Sequence, residues 1–418
     1  MFRAKLYALT NVPPENQKVM LRGGATLKDD WAPFVGKIKT GQQIMLMGNA
    51  SENVRVVSST PTVEFMEETN DNEPVYEGPP GLENLGNTCY ANASLQCLNA
   101  ITELKDSFSK IDSSQPNNRE LKLLFSMKQV LEQMKSSKKA ILPAEFLITF
   151  RSLYPQFAEI KNGKYTQQDA EECWSQLVTS LRGLPRLDSV PGSNPVEQLF
   201  EIQLLDEYSC TENPAEEKKI TPTSATKLQC HINNDKGKIP VTQILEGIEL
   251  SMHEQIEKMS PSLGKNTLYD KKSSISKLPY YLTVQFVRFF WKKTAEKKTK
   301  ITKPIDFPMV LDLYKYCTPD LQAKLAPNRA PGAAPPTDKT LANNTGRYDL
   351  YAVITHQGVY ADGGHYVAWV RQSEDPNDWV LFDDKEVSRK TEEDIRKLNG
   401  SGGAQWHIAY LCLYKAKN

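Results

Sequence analysis

The segment Gly81-Leu82-Glu83-Asn84-Leu85-Gly86-Asn87-Thr88-Cys89-Tyr90 constrains this chain more than any other: an irregular, glycine-bearing loop runs straight into a helix, with a cysteine at the junction. From Ala91 onward the apolar residues Leu95, Leu98, Ile101 and Leu104 recur at three- and four-residue steps, so one stripe of that helix must face a core. Asn87 or Thr88 stands where a cap is wanted. Unpaired N–H groups and the positive end of the helix dipole meet at the sulfur of Cys89 and favour negative charge there. A cysteine is more often a small core residue than a nucleophile, so the rest of the chain has to decide between the two.

The deciding residues lie far downstream. Gly363-Gly364-His365-Tyr366-Val367-Ala368-Trp369-Val370 reads as a glycine loop opening into an alternating strand, with His365 at the edge. Trp379-Val380-Leu381-Phe382-Asp383-Asp384 reads as the next strand, and a short hairpin between the two brings a carboxylate beside His365. Thiol, imidazole and carboxylate are the types that acyl transfer needs: a thiolate attacks a carbonyl, the imidazole moves the proton, and the carboxylate fixes its tautomer. Strand alternation puts Asp383 and Asp384 on opposite faces, which leaves room for only one of them at His365. His356, just before Gly358, is placed in support of the site. His231, His253 and His407 have no comparable setting.

These boxes resemble those of the ubiquitin-specific proteases, and two further segments agree. Tyr165-Thr166-Gln167-Gln168-Asp169-Ala170-Glu171-Glu172 resembles the family's glutamine-aspartate box, and Leu278 to Phe289 resembles its central strand. The resemblance runs from residue 81 to 410 in family order. It is strongest to the proteasome-associated branch that carries an N-terminal ubiquitin-like domain. It implies an α+β fold, a papain-like cysteine protease domain over 79–418 with a helical thumb near 89–200 and a sheet-rich palm and fingers beyond. It implies hydrolysis of isopeptide or peptide bonds after the terminal glycine of ubiquitin. By the same resemblance Cys89, His365 and Asp383 form the triad, Asn84 donates to the oxyanion, and Asp384 and Gln168 support the site. Asp169 and Glu172, three apart on a helix, are then expected to grip the arginines of the Arg-Leu-Arg-Gly-Gly tail. Tyr366 and Tyr410 are expected along the channel for the two glycines, Tyr410 equally as a half-buried strand residue. The rival reading is a ubiquitin-binding scaffold of the proteasome without catalysis, whose sign would be a lost cysteine, histidine or oxyanion donor; none is lost.

Lysine plus arginine balance aspartate plus glutamate at 51 each in a chain of 418 residues, which gives no reason to expect nucleic acid or an anionic membrane as partner. The expected partners are ubiquitin, ubiquitinated proteins and the proteasome regulatory particle, in the cytoplasm or the nucleus. Seven cysteines without regular spacing argue against a disulfide framework. Many members of the family hold zinc at the fingertips with two C-x-x-C pairs; this chain has none, and Cys210 with Cys230 supplies at most two ligands, so no metal or other cofactor is expected. Cys97 lies about 12 Å along the helix from Cys89, beyond the reach of a resolving thiol.

The first 48 residues read as part of a ubiquitin-like β-grasp: a helix over Phe2–Thr10, then strands over Gln17–Gly24 and Gln43–Gly48, beginning where the opening hairpin of such a domain would already have passed. Alternation turns Val19, Leu21, Ile44 and Leu46 inward and Met20, Met45 and Met47 outward. Residues 49–78 read as a flexible, acidic linker. An insertion loop is expected at about 326–346, and the loops Lys292–Lys303 and Gly358–Gly364 are expected to flank the cleft.

Overall fold

The computed structural model describes residues 18–21, 26–27, 44–47, 78–111, 118–188, 190–232, 240–292, 297–330, 332, 341–360 and 363–418. The chain divides into a unit of Met1–Pro74 and a unit of Val75–Asn418.

In the first unit, strand Lys18–Leu21 lies between Thr26–Leu27 and Ile44–Met47, antiparallel to both. The register sets Val19 opposite Leu46, Leu21 opposite Ile44 and Met20 opposite Met45, so backbone alternation groups the residues as the sequence does. Val19 is fully buried. The expected helix over Phe2–Thr10, the linker and the outward facing of the methionines lie outside the described residues.

The second unit begins with a helical lobe. Its helices are Cys89–Asn99, Thr102–Ser109, Arg119–Ser136, Ala144–Leu153 and Ala170–Ser180. Their apolar stripes converge on one core in which Leu95, Leu98, Leu124, Met127, Phe146, Phe150 and Leu177 are almost wholly out of water. The Ala170–Ser180 helix ties this lobe to the sheet through Trp174, whose indole N–H donates to Oγ1 of Thr283, 3.2 Å away.

The palm is an eight-stranded sheet in the order Glu386–Lys390, Trp379–Asp383, His365–Arg371, Arg347–Gln357, Ile408–Ala416, Tyr281–Val287 and Leu228–His231, with Val310–Asp312 pairing the start of Arg347–Gln357. Period-two alternation sorts its residues onto two faces. Tyr366, Ala368 and Val370 join the core under the helices, whereas Val367, Trp369 and Trp379 join a second core behind the sheet with Leu282, Val284 and Phe286. The Cys89–Asn99 helix packs on His365–Arg371, and so the first turn of a helix and the first residue of a strand come to one place.

The fingers are a four-stranded antiparallel sheet, Lys219–Ala225, Ile202–Cys210, Lys265–Lys277 and His253–Ser260. Cys210 ends the finger strand Ile202–Cys210, and Cys230 lies on the palm strand Leu228–His231. The two fingertip turns are joined by one carboxylate instead: Glu216 accepts from the hydroxyls of Ser260, Ser262 and Tyr269 and from the Ser262 N–H. Those bonds, led by the one from Ser260, hold its carboxyl down to about 2. A carboxyl held low in the folded state contributes stability that is present above the ordinary carboxylate range and lost as pH falls through its folded value. Melting curves of wild type and Glu216→Gln should therefore differ at neutral pH and converge as pH falls from about 4.5 to about 2; a pH-independent difference would contradict this role.

The segment expected as a plain loop over Lys292–Lys303 is in fact a hairpin of Phe289–Lys292 and Lys297–Lys300. It is docked on the next loop by the Lys300 N–H on the Val359 carbonyl and by a bridge between Thr299 and Tyr360. Lys300 itself is buried, donates its ammonium to the His356 carbonyl and is pushed down to about 7 by that burial. Of the expected insertion, Ala326–Arg329 forms a single tight helical turn whose Arg329 pairs with Asp312, and residues 333–340 lie outside the description.

Candidate active site

Glycine and asparagine shape the loop before the Cys89–Asn99 helix. Gly86 and Asn87 both have positive φ, 93° and 53°, a reversal that delivers Thr88 to the cap position. Neither expected side-chain cap is made. The Thr88 hydroxyl instead accepts from the Leu85 N–H, and Asn87 reaches 2.8 Å to the Tyr165 carbonyl, fastening the loop to the glutamine-aspartate segment. Asn84 braces the loop from inside: its Oδ1 accepts from the N–H groups of Gly86 and Thr88 and from the Thr88 hydroxyl. Cys89 is the first helical residue and is only 2 % exposed.

His365, on the palm, takes Cys89 and Asp383 as hydrogen-bond partners, with Nε2 2.5 Å from Oδ1 of Asp383. The Asp383 bond first, and the Cys89 bond second, push the imidazole up to about 10, so it stays protonated through neutral pH. The same bond holds the Asp383 carboxyl below its ordinary range. Asp384 is not turned away as alternation requires, for its Oδ2 lies 4.0 Å from the same Nε2. The strand ends at Asp383, and Asp384 opens the turn with φ 51°, where the two-residue period no longer applies. Asp384 accepts from Asn84 Nδ2 and from Asn92 Nδ2, each at 2.8 Å. Asn92 and Gly81 complete this arrangement without having been read from the sequence. A Cβ on Gly81 would lie 2.4 Å from the Asp384 carbonyl, and the Leu82 N–H donates to that carbonyl at 2.8 Å.

The glutamine-aspartate segment sorts differently from the sequence expectation. Gln168 turns to the Thr166 hydroxyl, and it is Gln167 whose Nε2 lies 3.2 Å from the Cys89 sulfur. Asp169 caps the Ala170–Ser180 helix and accepts the Tyr410 hydroxyl on both oxygens, at 2.8 and 2.9 Å, so it shares no helix face with Glu172. Glu172 is exposed. Tyr366 and Tyr410 are 1 % and 2 % exposed; they back the site rather than wall an open channel, while the Tyr366 N–H points at the Cys89 sulfur from 3.5 Å. His356 is buried between the rings of Phe289 and Tyr366, is held neutral at about 3 by that burial, and meets the Gly363 carbonyl through Nε2 at 2.9 Å. His407 corrects the sequence reading: half-buried, and lowered by its partial burial to about 4, it lies close enough to Asp383 and His365 to feel both charges.

Acyl transfer through sulfur is the chemistry that a cysteine sulfur, an imidazole that carries its proton and an ionised carboxylate perform in this order, and the two lobes that present them are those of a papain-like cysteine peptidase. Residues 80–414 match the ubiquitin carboxyl-terminal hydrolase family, to which the chain therefore belongs; it is a cysteine-type deubiquitinating peptidase. It is 37 % identical over 465 residues to ubiquitin carboxyl-terminal hydrolase 7 of Arabidopsis thaliana, covering all of this chain and 94 % of that protein. It is also 36 % identical to ubiquitin carboxyl-terminal hydrolase 6 of Schizosaccharomyces pombe (99 % of this chain, 93 % of that one). The corresponding figures for ubiquitin carboxyl-terminal hydrolase 14 of Caenorhabditis elegans are 35 % identity, 100 % and 89 %.

Proposed function

We propose that the Cys89 sulfur, its proton carried by His365, attacks the carbonyl of the terminal glycine of ubiquitin and that His365 passes that proton to the leaving amine. The neutral imidazole then takes a proton from the water that displaces the Cys89 sulfur from the thioester, while Asp383 holds the ring. The observation that carries this is the continuous chain from Cys89 through His365 to Asp383. Asn84 is the oxyanion donor in this reading. One of its amide hydrogens is committed to Asp384 and its oxygen to the loop, so the second hydrogen is held in a set direction before substrate arrives. Asn84→Ala should lower kcat roughly 10²-fold with little change in KM, as loss of a preorganised donor does; an effect confined to KM would make Asn84 a loop brace only. Glu172, exposed at the start of its helix, is the better placed of the two acids to meet an arginine of the ubiquitin tail.

The substrates are ubiquitin conjugates, and the reading extends to chain trimming and ubiquitin recycling at the proteasome, in cytoplasm or nucleus, supported by the resemblance and by the three-stranded sheet of the first unit. Cleavage of ubiquitin carrying a C-terminal fluorogenic amide tests the chemistry. Co-sedimentation with purified proteasomes tests the docking: the full chain should co-sediment and Met20→Asp should weaken it. If Met20→Asp changes nothing, docking belongs to the catalytic unit; if the chain does not co-sediment, the proteasomal role fails.

A further inference from the structure

The nucleophile and its base come from different lobes, Cys89 from the first turn of a helix and His365 from the first residue of a palm strand, so something must set one against the other. Gln167 touches both sides. Its Nε2 is 3.2 Å from the Cys89 sulfur and 3.5 Å from the carbonyl of Gly364, the residue before His365. The amide is buried, with 8 % of the residue exposed. Reversed end for end it would press its oxygen against a sulfur and a carbonyl, two acceptors, so the NH2 must face them. The Gly364 carbonyl is itself a fixed point. Gly364 has φ 99°, a Cβ there would lie 2.1 Å from the Gln357 carbonyl and 2.7 Å from His356 Nε2, and His356 pins the adjoining Gly363 carbonyl. Neighbouring bonds hold Gln167 from its other side, since Gln168 is tied to Thr166 and Asp169 to Tyr410.

We infer that Gln167 is a positioning residue of the reaction: one amide hydrogen holds the Cys89 sulfur, the other holds the Gly364 carbonyl, and the donor supports negative charge on sulfur in the attacking and departing thiolate. With the Tyr366 N–H at 3.5 Å, sulfur then has two donors besides the imidazole. This rests on Cys89 being the nucleophile. A hydrogen bond to a charged group is worth enough that its loss should cost about 10- to 100-fold in kcat.

The test compares full-length Gln167→Met, similar in volume but without donors, with Gln167→Glu, on ubiquitin carrying a C-terminal fluorogenic amide from about pH 5.5 to about pH 9. Gln167→Met should lose kcat by about 10- to 100-fold at unchanged KM. Gln167→Glu should fall progressively below Gln167→Met as pH rises, because the ionised carboxylate faces the sulfur whereas the protonated one can still donate. Near wild-type kcat in both variants with parallel pH profiles, or a loss confined to KM, would overturn the inference and mark Gln167 as packing. If Gln167→Met melts well below wild type, unmutated protein carrying 15N-glutamine decides: a side-chain amide resonance that moves when Cys89 is alkylated supports the contact, and none moving refutes it. The nucleophile assignment is separable, for it fails only if Cys89→Ala retains turnover.

Discussion

Cys89→Ala is expected to reduce cleavage of ubiquitin amides to below about one per cent of wild type while ubiquitin affinity changes by no more than a few fold. The thiol supplies the bond-forming atom and little contact area, being 2 % exposed and enclosed by Gln167, Tyr366 and His365. None of the other described cysteines is placed to substitute. Cys97, Cys173 and Cys412 are wholly buried, and burial pushes each thiol up, away from the thiolate that nucleophilic attack requires. Stopped assays with the fluorogenic amide give turnover, and calorimetry with free ubiquitin gives affinity. Residual turnover above about one per cent would mean that another group carries the reaction.

Asp383→Asn should lower kcat by roughly 10²- to 10⁴-fold and also change the shape of the pH profile. The Asp383 bond is the first cause of the rise of His365 to about 10. An imidazole raised in this way is protonated below that value and loses its proton as pH climbs through it. With the carboxylate gone the alkaline limb of kcat/KM should move to lower pH, whereas in wild type it lies well above neutrality. Asp384→Asn should act differently: its carboxylate is bonded to Asn84 and Asn92, so the loss should fall on kcat without the same displacement of the alkaline limb. An Asp383→Asn profile superimposable on wild type after scaling would show that the carboxylate does not control the imidazole.

The residues that proved readable in the sequence are those whose role is fixed by local geometry. Cys89 is readable at a helix start because the apolar stripe through Leu95 and Leu98 begins directly after a glycine-bearing loop, and His365 at a strand start because alternation begins there on two well-buried faces. Residues whose role depends on a distant partner were not readable. Nothing local separates Gln167 from Gln168; the choice is made by which amide the packing of two lobes turns toward sulfur. Asp384 escaped the alternation argument because a strand's end cannot be located to one residue from pattern alone. Glu216 looks like any surface acid until two turns of the fingers bring three hydroxyls to it, and Lys300 like any loop lysine until its hairpin is docked. Asp169 is expected from the sequence on one helix face with Glu172; its place as the helix cap and as the partner of Tyr410 depends on a residue 241 positions away that no local pattern names.

The central claim is that this chain cleaves after ubiquitin through the sulfur of Cys89, and ubiquitin bearing a C-terminal electrophile tests it most directly. Mixed with the full-length protein, it should give one covalent adduct of one ubiquitin per chain, located by peptide mass spectrometry on the segment containing Cys89 and abolished by Cys89→Ala. No adduct, or an adduct on a different cysteine that persists in Cys89→Ala, would contradict the account.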